Sequence, residues 1–390
     1  MKILILGGAS GDVGRDLTRI LLKEKTLITR ITITSRSIDT ARKFAEELRD
    51  ERATALGLDV TDRRRLMDAM QGHDLIVNTV GPFSAYAIPV MRAAIESKVN
   101  YIDICDDIEP TVEALQLDRF AKDSGVFLFL SMGWFPGMSN LRAKALADQM
   151  DKVEEIVIAW VAGKKSPEEI PSKGLAGVEH YLKALTGKIS TYREGHRMKI
   201  RAHQKGLRLH FPDPLGEYTC YHIEHPETAT LPYVIPGVKT ASALGALYPE
   251  NRNKTTRLFT RLIDAKLLSI PLAIRISGMS MRSKKKVGLP TLIGSYVSCI
   301  GEKNGRKGQL RYCEVNTELT TAEATSQPLA CAIFYIASGG RIEPGVHLPE
   351  TTLKVGDILC IGESHNLSFV KDATATTTWS EEVISLEKTR

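Results

Sequence analysis

Through the first 130 residues, short apolar runs rich in β-branched side chains alternate with apolar stripes at helical spacing. The runs fall at Lys2–Leu6, Arg30–Ser35, Thr54–Leu58, Asp74–Thr79, Asn100–Ile104 and Val126–Leu130. Their brevity and near-continuous apolarity are those of strands buried on both faces. Between them, Val13, Leu17, Ile20 and Leu21 make one helical stripe, Thr40, Phe44, Ala45 and Leu48 a second, and Leu66 with Met70 a third. Parallel neighbours need a helix-sized return, so this rhythm predicts an α/β fold on a doubly wound parallel sheet.

After Gly133 the pattern changes. Leu175, Val178, Leu182 and Leu185 predict a helix, followed by strand-like runs at Arg197–Ala202, Leu207–Phe211 and Tyr218–Ile223. Leu258, Leu262 and Ile263 lie on another helix. Asn304-Gly305 supplies the positive φ angles of a tight turn, predicting a hairpin between Ile293–Gly301 and Leu310–Thr317. Pro328–Ser338 reads as a buried helix stopped by Gly339-Gly340. Strands gathered beside a few helices predict a second, α+β domain, with no internal repeat and no low-complexity linker.

With 390 residues, 43% of them apolar and 25% charged, the chain can bury two or three cores. Disordered, collagen-like and disulfide-stapled classes are excluded. The formal charge of 52 − 46 = +6 is too dilute for a nucleic-acid footprint. Its one dense run, Arg282-Ser-Lys-Lys-Lys286, reads as a solvated loop. Cys105, Cys220, Cys299, Cys313, Cys331 and Cys360 include no Cys-x-x-Cys pair, which argues against a zinc or redox motif and fits a reducing compartment. The opening apolar run is too short for a secretory signal, and the longest apolar stretch, Leu267–Met281, is broken by Pro271 and Arg275. The expected location is cytoplasmic without an integral membrane segment, peripheral membrane contact being left open.

The clearest candidate chemistry follows the first strand, where Gly8-Ala9-Ser10-Gly11-Asp12-Val13-Gly14 leads into the first helix. Gly8 permits a tight turn, Gly11 lets backbone approach a pyrophosphate, and Gly14 lets the helix lie close to the strand. The helix N-terminus then offers amide hydrogens and partial positive charge to the phosphates. An NAD site places Asp or Glu at the end of the second strand, about 20 residues further on. Here Ser35-Arg36-Ser37 stands there, with no acid before Asp39. A guanidinium flanked by hydroxyls suits a 2′-phosphate, so NADP(H) is the expected cofactor, with NAD(H) as the alternative. Asp59 and Val60 follow the third strand and suit the adenine edge. Asn78-Thr79-Val80-Gly81-Pro82 follows the fourth, beside the nicotinamide ribose. A loop-capping role competes for each, Asp59 or Thr61 being a candidate N-cap.

None of the 11 tyrosines has Lys four residues on, which sets short-chain dehydrogenases aside. His222-Ile-Glu-His225-Pro-Glu227 offers metal-ligand types, but on a strand its histidines point to opposite faces, so no metal site is expected. The ordered set Gly8–Gly14, Ser35–Ser37, Asn78–Phe83, Tyr101-Ile-Asp103 and Gly133-Trp-Phe-Pro136-Gly137 resembles the saccharopine dehydrogenase (saccharopine reductase-like) family over about the first 140 residues. Looser matches follow at His225-Pro-Glu227 and Gly339–Glu350. The resemblance implies an NADP-binding Rossmann domain over 1–133, an α+β substrate and dimerisation domain over 134–350, and a segment over 351–390 that returns to the first domain. It also implies a homodimer and a small-molecule substrate.

The chemistry implied is hydride transfer at a carbon–nitrogen centre, which requires a general acid/base near the reacting carbon. Asp103, ending the fifth strand, is the expected group, with Tyr101 and Lys98 flanking it; a helix-capping role competes, and is preferred for Asp106 and Asp107. Gly133 would let backbone pass the nicotinamide, Asn140 would cap the next helix, and Arg201, Arg208 or Lys205 would meet a substrate carboxylate. Two other readings keep the cofactor: a trans-acting enoyl reductase working on a lipid or polyketide C=C, and a non-catalytic NADP sensor.

Overall fold

The computed structural model describes residues 1–163, 182, 185–202, 204, 206–273, 275, 276, 291–370 and 375–385. Two compact units emerge, Met1–Met138 with Ala322–Val370, and Ser139–Thr321 with Lys371–Arg390. This differs from the division at 133 and 350: the first unit takes back residues 322–370.

In the first unit, β1 (Lys2–Leu6), β2 (Arg30–Ser35), β3 (Ala53–Gly57), β4 (Leu75–Asn78), β5 (Asn100–Asp103) and β6 (Phe127–Phe129) match the sequence runs to within a residue or so at each end. The helices α1 (Asp12–Lys23), α2 (Ile38–Leu48), α3 (Arg63–Met70), α4 (Phe83–Ser97), α5 (Ile108–Leu115) and α6 (Asp118–Ser124) return between them. All pairings are parallel, in the order Gly345–His347, β6, β5, β4, β1, β2, β3. The order reverses between β1 and β4, which is where doubly wound sheets open a crevice for ligands. Side chains of β1, β2 and β4 are buried almost throughout, the outcome their continuous apolarity requires.

The seventh strand comes from the return segment. The helix Thr321–Ala337 begins earlier than the expected Pro328 start, and Gly345–His347 then pairs with β6. Gly345 takes φ +137, and Asp118 accepts the Val346 amide at 3.0 Å. Helices Pro349–Thr352 and Val355–Ser364 follow.

In the second unit, α7 (Met138–Ala147) leads to β7 (Lys152–Gly163), which runs parallel to β13 (Thr240–Leu247) and antiparallel to β14 (Leu292–Lys303). The sheet runs Thr376–Ser380, β15 (Arg306–Asn316), β14, β7, β13, β8 (Lys188–Arg193), β9 (His196–Arg201), and β12 (Tyr221–His222) also joins β13. A short ribbon pairs β10 (Arg208–His210) with β11 (Glu217–Thr219), and α8 (Glu227–Val234) and α9 (Asn251–Asp264) complete the described elements used below. The hairpin forms where expected, Asn304 at φ 52 and Gly305 at φ 72 turning β14 into β15. The run Tyr218–Ile223 instead divides into β11 and β12. Leu175 and Val178 of the expected helix, Lys205, residues 277–281 of the apolar stretch and the Arg282–Lys286 run lie outside the described residues.

Candidate functional site

At the crevice the four glycines after β1 have separable reasons to be glycine. Gly7 holds φ +78, the conformation that L side chains resist, and its carbonyl accepts the amides of Ser10 and Gly11 at 3.2 Å each. A Cβ on Gly8 would stand 2.9 Å from Ile33, and one on Gly14 would stand 2.8 Å from Gly8 Cα and 2.9 Å from Thr79 Oγ1. On Gly11 the nearest atom would be Gly7 O at 3.9 Å. The protein's own packing therefore demands Gly7, Gly8 and Gly14, whereas Gly11 leaves a space open. Gly11 is also the N-cap of α1 and makes no capping hydrogen bond, so the first-turn amides are left for another acceptor. Ala9 is buried, Val13 half-buried, and Ser10 and Asp12 exposed. An open cradle beside an uncapped helix end fits a dinucleotide pyrophosphate. The sequence motif pointed to Gly8 for the turn; the positive φ belongs to Gly7, one residue earlier.

Thr79 closes the switch point, its hydroxyl and amide both donating to Leu6 O at 2.8 and 3.0 Å. At the end of β2, Ser35 is buried and Arg36 exposed, while Ser37 caps α2 by accepting the Thr40 amide. Asp59 is exposed and accepts the amide and hydroxyl of Thr61. Those two bonds, with Arg36 nearby, hold its carboxyl below the usual range. The cap of α3 is Asp62, not Asp59 or Thr61. Val60 is half-buried. Gly81 and Pro82 are exposed, Pro82 standing at the N-cap of α4.

Asn78 and Asp103 are register partners at the ends of β4 and β5, and they share a sealed network. Asn78 Nδ2 donates to Tyr101 Oη at 3.0 Å, and the Tyr101 hydroxyl donates to Asp103 Oδ2 at 2.8 Å. Asp103 Oδ1 accepts the amides of Ser131 at 2.6 Å and Cys105 at 3.1 Å. Asn78, Tyr101 and Asp103 are each 0% exposed. Burial pushes the Asp103 carboxyl up to about 6, against the pull of those amides and the tyrosine hydroxyl. Burial and the adjoining carboxylate push the Tyr101 phenol well above its usual value. Asp103 is the group the sequence points to as the acid/base, and its value lies near neutrality. Asp103 is enclosed with both oxygens engaged, and Lys98 is an exposed residue ending α4. Asp107 occupies the N-cap position of α5 but directs its carboxylate to the Ser84 amide. Ser131 was missed by sequence reasoning. It takes φ +58, and its buried hydroxyl makes no hydrogen bond among the described residues; one apolar-flanked serine gives no signal of that kind.

Gly133 is spent on its own loop. Its amide donates to Pro136 O, its carbonyl accepts the Met138 amide, and a Cβ would stand 3.0 Å from Thr325. In the second unit, Asn140 lies within α7 and donates to Thr230 at 3.0 Å, so it is not that helix's cap. His225 Nδ1 lies 2.5 Å from Glu227 Oε2, and Ser139 Oγ donates to Glu227 Oε1 at 2.8 Å, all three buried. Although burial raises the Glu227 carboxyl, His225 and Ser139 outweigh it and hold the group below its usual range. No group of three or more His, Cys, Asp or Glu among the described residues is placed to hold a metal ion. Arg208 pairs with Glu217, and Arg201 lies 3.6 Å from Asp264.

Strand order, glycine cradle and uncapped helix end together define a dinucleotide-binding α/β unit. Residues 3–128 match the family model of the saccharopine dehydrogenase NADP binding domain. The saccharopine dehydrogenase [NADP(+), L-glutamate-forming] of Pyricularia oryzae is 25% identical over 170 residues, 43% of this chain and 35% of that protein. A saccharopine dehydrogenase-like oxidoreductase of Rattus norvegicus is 25% identical over 181 residues, 42% of each chain. The matched region is thus well under half the length of these curated relatives. The solved saccharopine dehydrogenase (L-Glu forming) of Saccharomyces cerevisiae shares the fold, with a TM-score of 0.67 at 15% identity over 97% of this chain and 99% of that one.

Proposed function

We propose that the protein is an NADP(H)-dependent oxidoreductase transferring a hydride at a carbon–nitrogen centre, reducing an imine or oxidising an amine of an amino-acid or polyamine-like substrate. The observation that carries it is the open cradle at Gly11 with exposed Arg36 beyond β2 and no acid before Asp39. The carbon–nitrogen assignment is supported by the saccharopine dehydrogenase names of the relatives. In this reading Gly8, Ala9, Ser10 and Gly11, whose amides are bonded within the protein, shape the cradle, the first-turn amides of Asp12 and Val13 hold the pyrophosphate, and Ser35, Arg36 and Ser37 hold the 2′-phosphate. Asp59 and Val60 border the adenine. Asn78, Thr79, Gly81, Pro82 and Gly133 border the nicotinamide ribose. Bound NADP(H) supplies or accepts the hydride. Tyr101 and Asp103, being enclosed, serve as positioning residues that fix Asn78 and the Ser131 turn, and the proton moves through a group or water they orient. Homodimer assembly, which rests on the resemblance, and a cytoplasmic location, which rests on the scattered cysteines and the short opening apolar run, belong to the same proposal.

Calorimetric titration tests it. Arg36→Asp should weaken NADPH binding roughly 10–100-fold while leaving NADH nearly unchanged, because a repelling charge replaces a phosphate partner. Equal loss for both nucleotides removes the NADP assignment. A second reading, enoyl reduction on a lipid-borne C=C, is favoured by the exposed Leu267 and Leu272 side chains. NADPH consumption with enoyl thioesters, and none with oxo acids plus amines, would select it. Binding with neither turnover would leave a sensor.

A further inference from the structure

We propose that the outer face of α9, with the described residues 265–273, 275 and 276 that follow it, is a docking surface for a bilayer interface rich in anionic phospholipid. The segment is two-faced. On its inner side Phe259, Ile263, Leu268 and Ile270 pack against Leu182 and Ala273, which satisfies the apolar demand of the fold. On its outer side Leu258 is 55% exposed, Leu267 76%, Leu272 47% and Ile276 39%. Only two other large hydrophobic side chains among the described residues, Phe120 and Tyr233, stand so open, so the exposed apolar surface is concentrated here rather than scattered.

Charge decides what covers it. Between Asn251 and Ile276 stand Arg252, Lys254, Arg257, Arg261, Lys266 and Arg275 against the single acid Asp264, a balance of 6 − 1 = +5 beside the whole chain's +6. Asp264, itself exposed, accepts the Gly187 amide at 2.7 Å and lies 3.6 Å from Arg201. Lys254, Leu258 and Arg261 fall at i, i+4 and i+7 and share one stripe of α9. Lysine and arginine heads at the level of lipid phosphates, with leucines a few ångströms deeper, form the arrangement an interfacial segment needs. A second copy of the same face would set its exposed Lys254, Arg261, Lys266 and Arg275 against the same cations, which disfavours an isologous subunit contact. Nucleic acid would use the cations and leave the leucines unexplained. No helix among the described residues is long and apolar enough to cross a membrane, so the contact is peripheral. This inference is independent of the bond on which the protein acts.

The test is vesicle flotation of the full chain, comparing phosphatidylcholine alone with phosphatidylcholine carrying about 30 mol % phosphatidylserine. Saturable uptake on the anionic vesicles is expected, falling several-fold between about 0.1 and about 0.5 M salt. The double change Leu267→Glu/Leu272→Glu should lower uptake at least about tenfold, and Arg261→Glu/Lys266→Glu by a similar factor. Leu267→Ser alone, at the most exposed of these positions, is the milder check, with a several-fold loss. Each variant should titrate NADPH as the unaltered protein does, which guards against misfolding. Three results would overturn the proposal: no uptake of the unaltered chain on anionic vesicles, unchanged uptake of the variants, or variants that alter the free protein's oligomeric mass, which would make the face a contact between copies.

Discussion

Carboxylates buried in the two units are held differently. Asp103 leans on two backbone amides and a phenol, with no cation in its hydrogen-bond shell, and burial drives its carboxyl up to about 6. Glu227 is equally enclosed but faces His225 and Ser139, and it is held below its ordinary range. Amide dipoles replace only part of the hydration that a carboxylate loses on burial; a cationic partner replaces more. The first unit therefore keeps a group poised near neutrality beside its crevice, while the second uses a comparable group as a structural tie between α7 and the start of α8.

The largest expected effect breaks that tie. Glu227→Ala should destabilise the second unit by about 3–5 kcal/mol, because the buried His225 and Ser139 would both lose the carboxylate they bond. Hydrogen exchange should show the loss around α7 and α8 while β1, β4 and β5 stay protected; uniform loss would mean that the tie is not local. The pH response carries the same signature. With its folded value lowered, Glu227 stabilises the fold above about 4.5 and loses that contribution as pH falls through its lower folded value.

Asp103 has the opposite sign. Its folded value of about 6 lies above the ordinary 3.8, so its contribution is fully present below about pH 4 and is lost as pH rises through 6. Roughly 2–3 kcal/mol should disappear across that window. Asp103→Asn should flatten this part of the stability profile, measured by denaturant titration at successive pH values. An unchanged slope would mean that another group titrates there. Tyr101→Phe should cost less, about 1–3 kcal/mol, by leaving Asp103 Oδ2 and Asn78 Nδ2 without their shared partner.

The same contrast explains what was legible in the sequence. Parallel strands buried on both faces announce themselves as apolar runs, and β1 to β6 were found to within a residue or so at each end. Gly14 was read correctly because its requirement, close approach of helix to strand, is local. The strand Gly345–His347 was hidden because three residues carry no period and its partner β6 lies more than two hundred positions away. The long strands β7 and β13 were passed over, since β7 opens on charged residues and β13 is largely small ones. Asp103 is legible by its position at a strand end, but its enclosure is not, because that depends on Tyr101, Cys105 and Ser131 converging from two strand ends. His225 and Glu227 were weighed as ligands, whereas Ser139, 88 positions from Glu227, completes their pairing.

The smallest effect is expected at the second unit's rim, where the rule for buried groups no longer applies. Arg208 was a candidate partner for a substrate carboxylate. Its guanidinium instead meets Glu217 at 2.8 Å across the β10–β11 ribbon, with side chains 70% and 59% exposed. Water solvates both ions almost as well apart as together, so the pair gains little, and Arg208→Ala should change stability by less than about 0.5 kcal/mol. Because the arginine already has an anion beside it and stands in solvent, KM for any carboxylate-bearing substrate should stay within about threefold. A loss of tenfold or more in apparent substrate affinity, at unchanged melting temperature, would return Arg208 to the binding machinery and show that an exposed pair in this unit can be exchanged for a ligand.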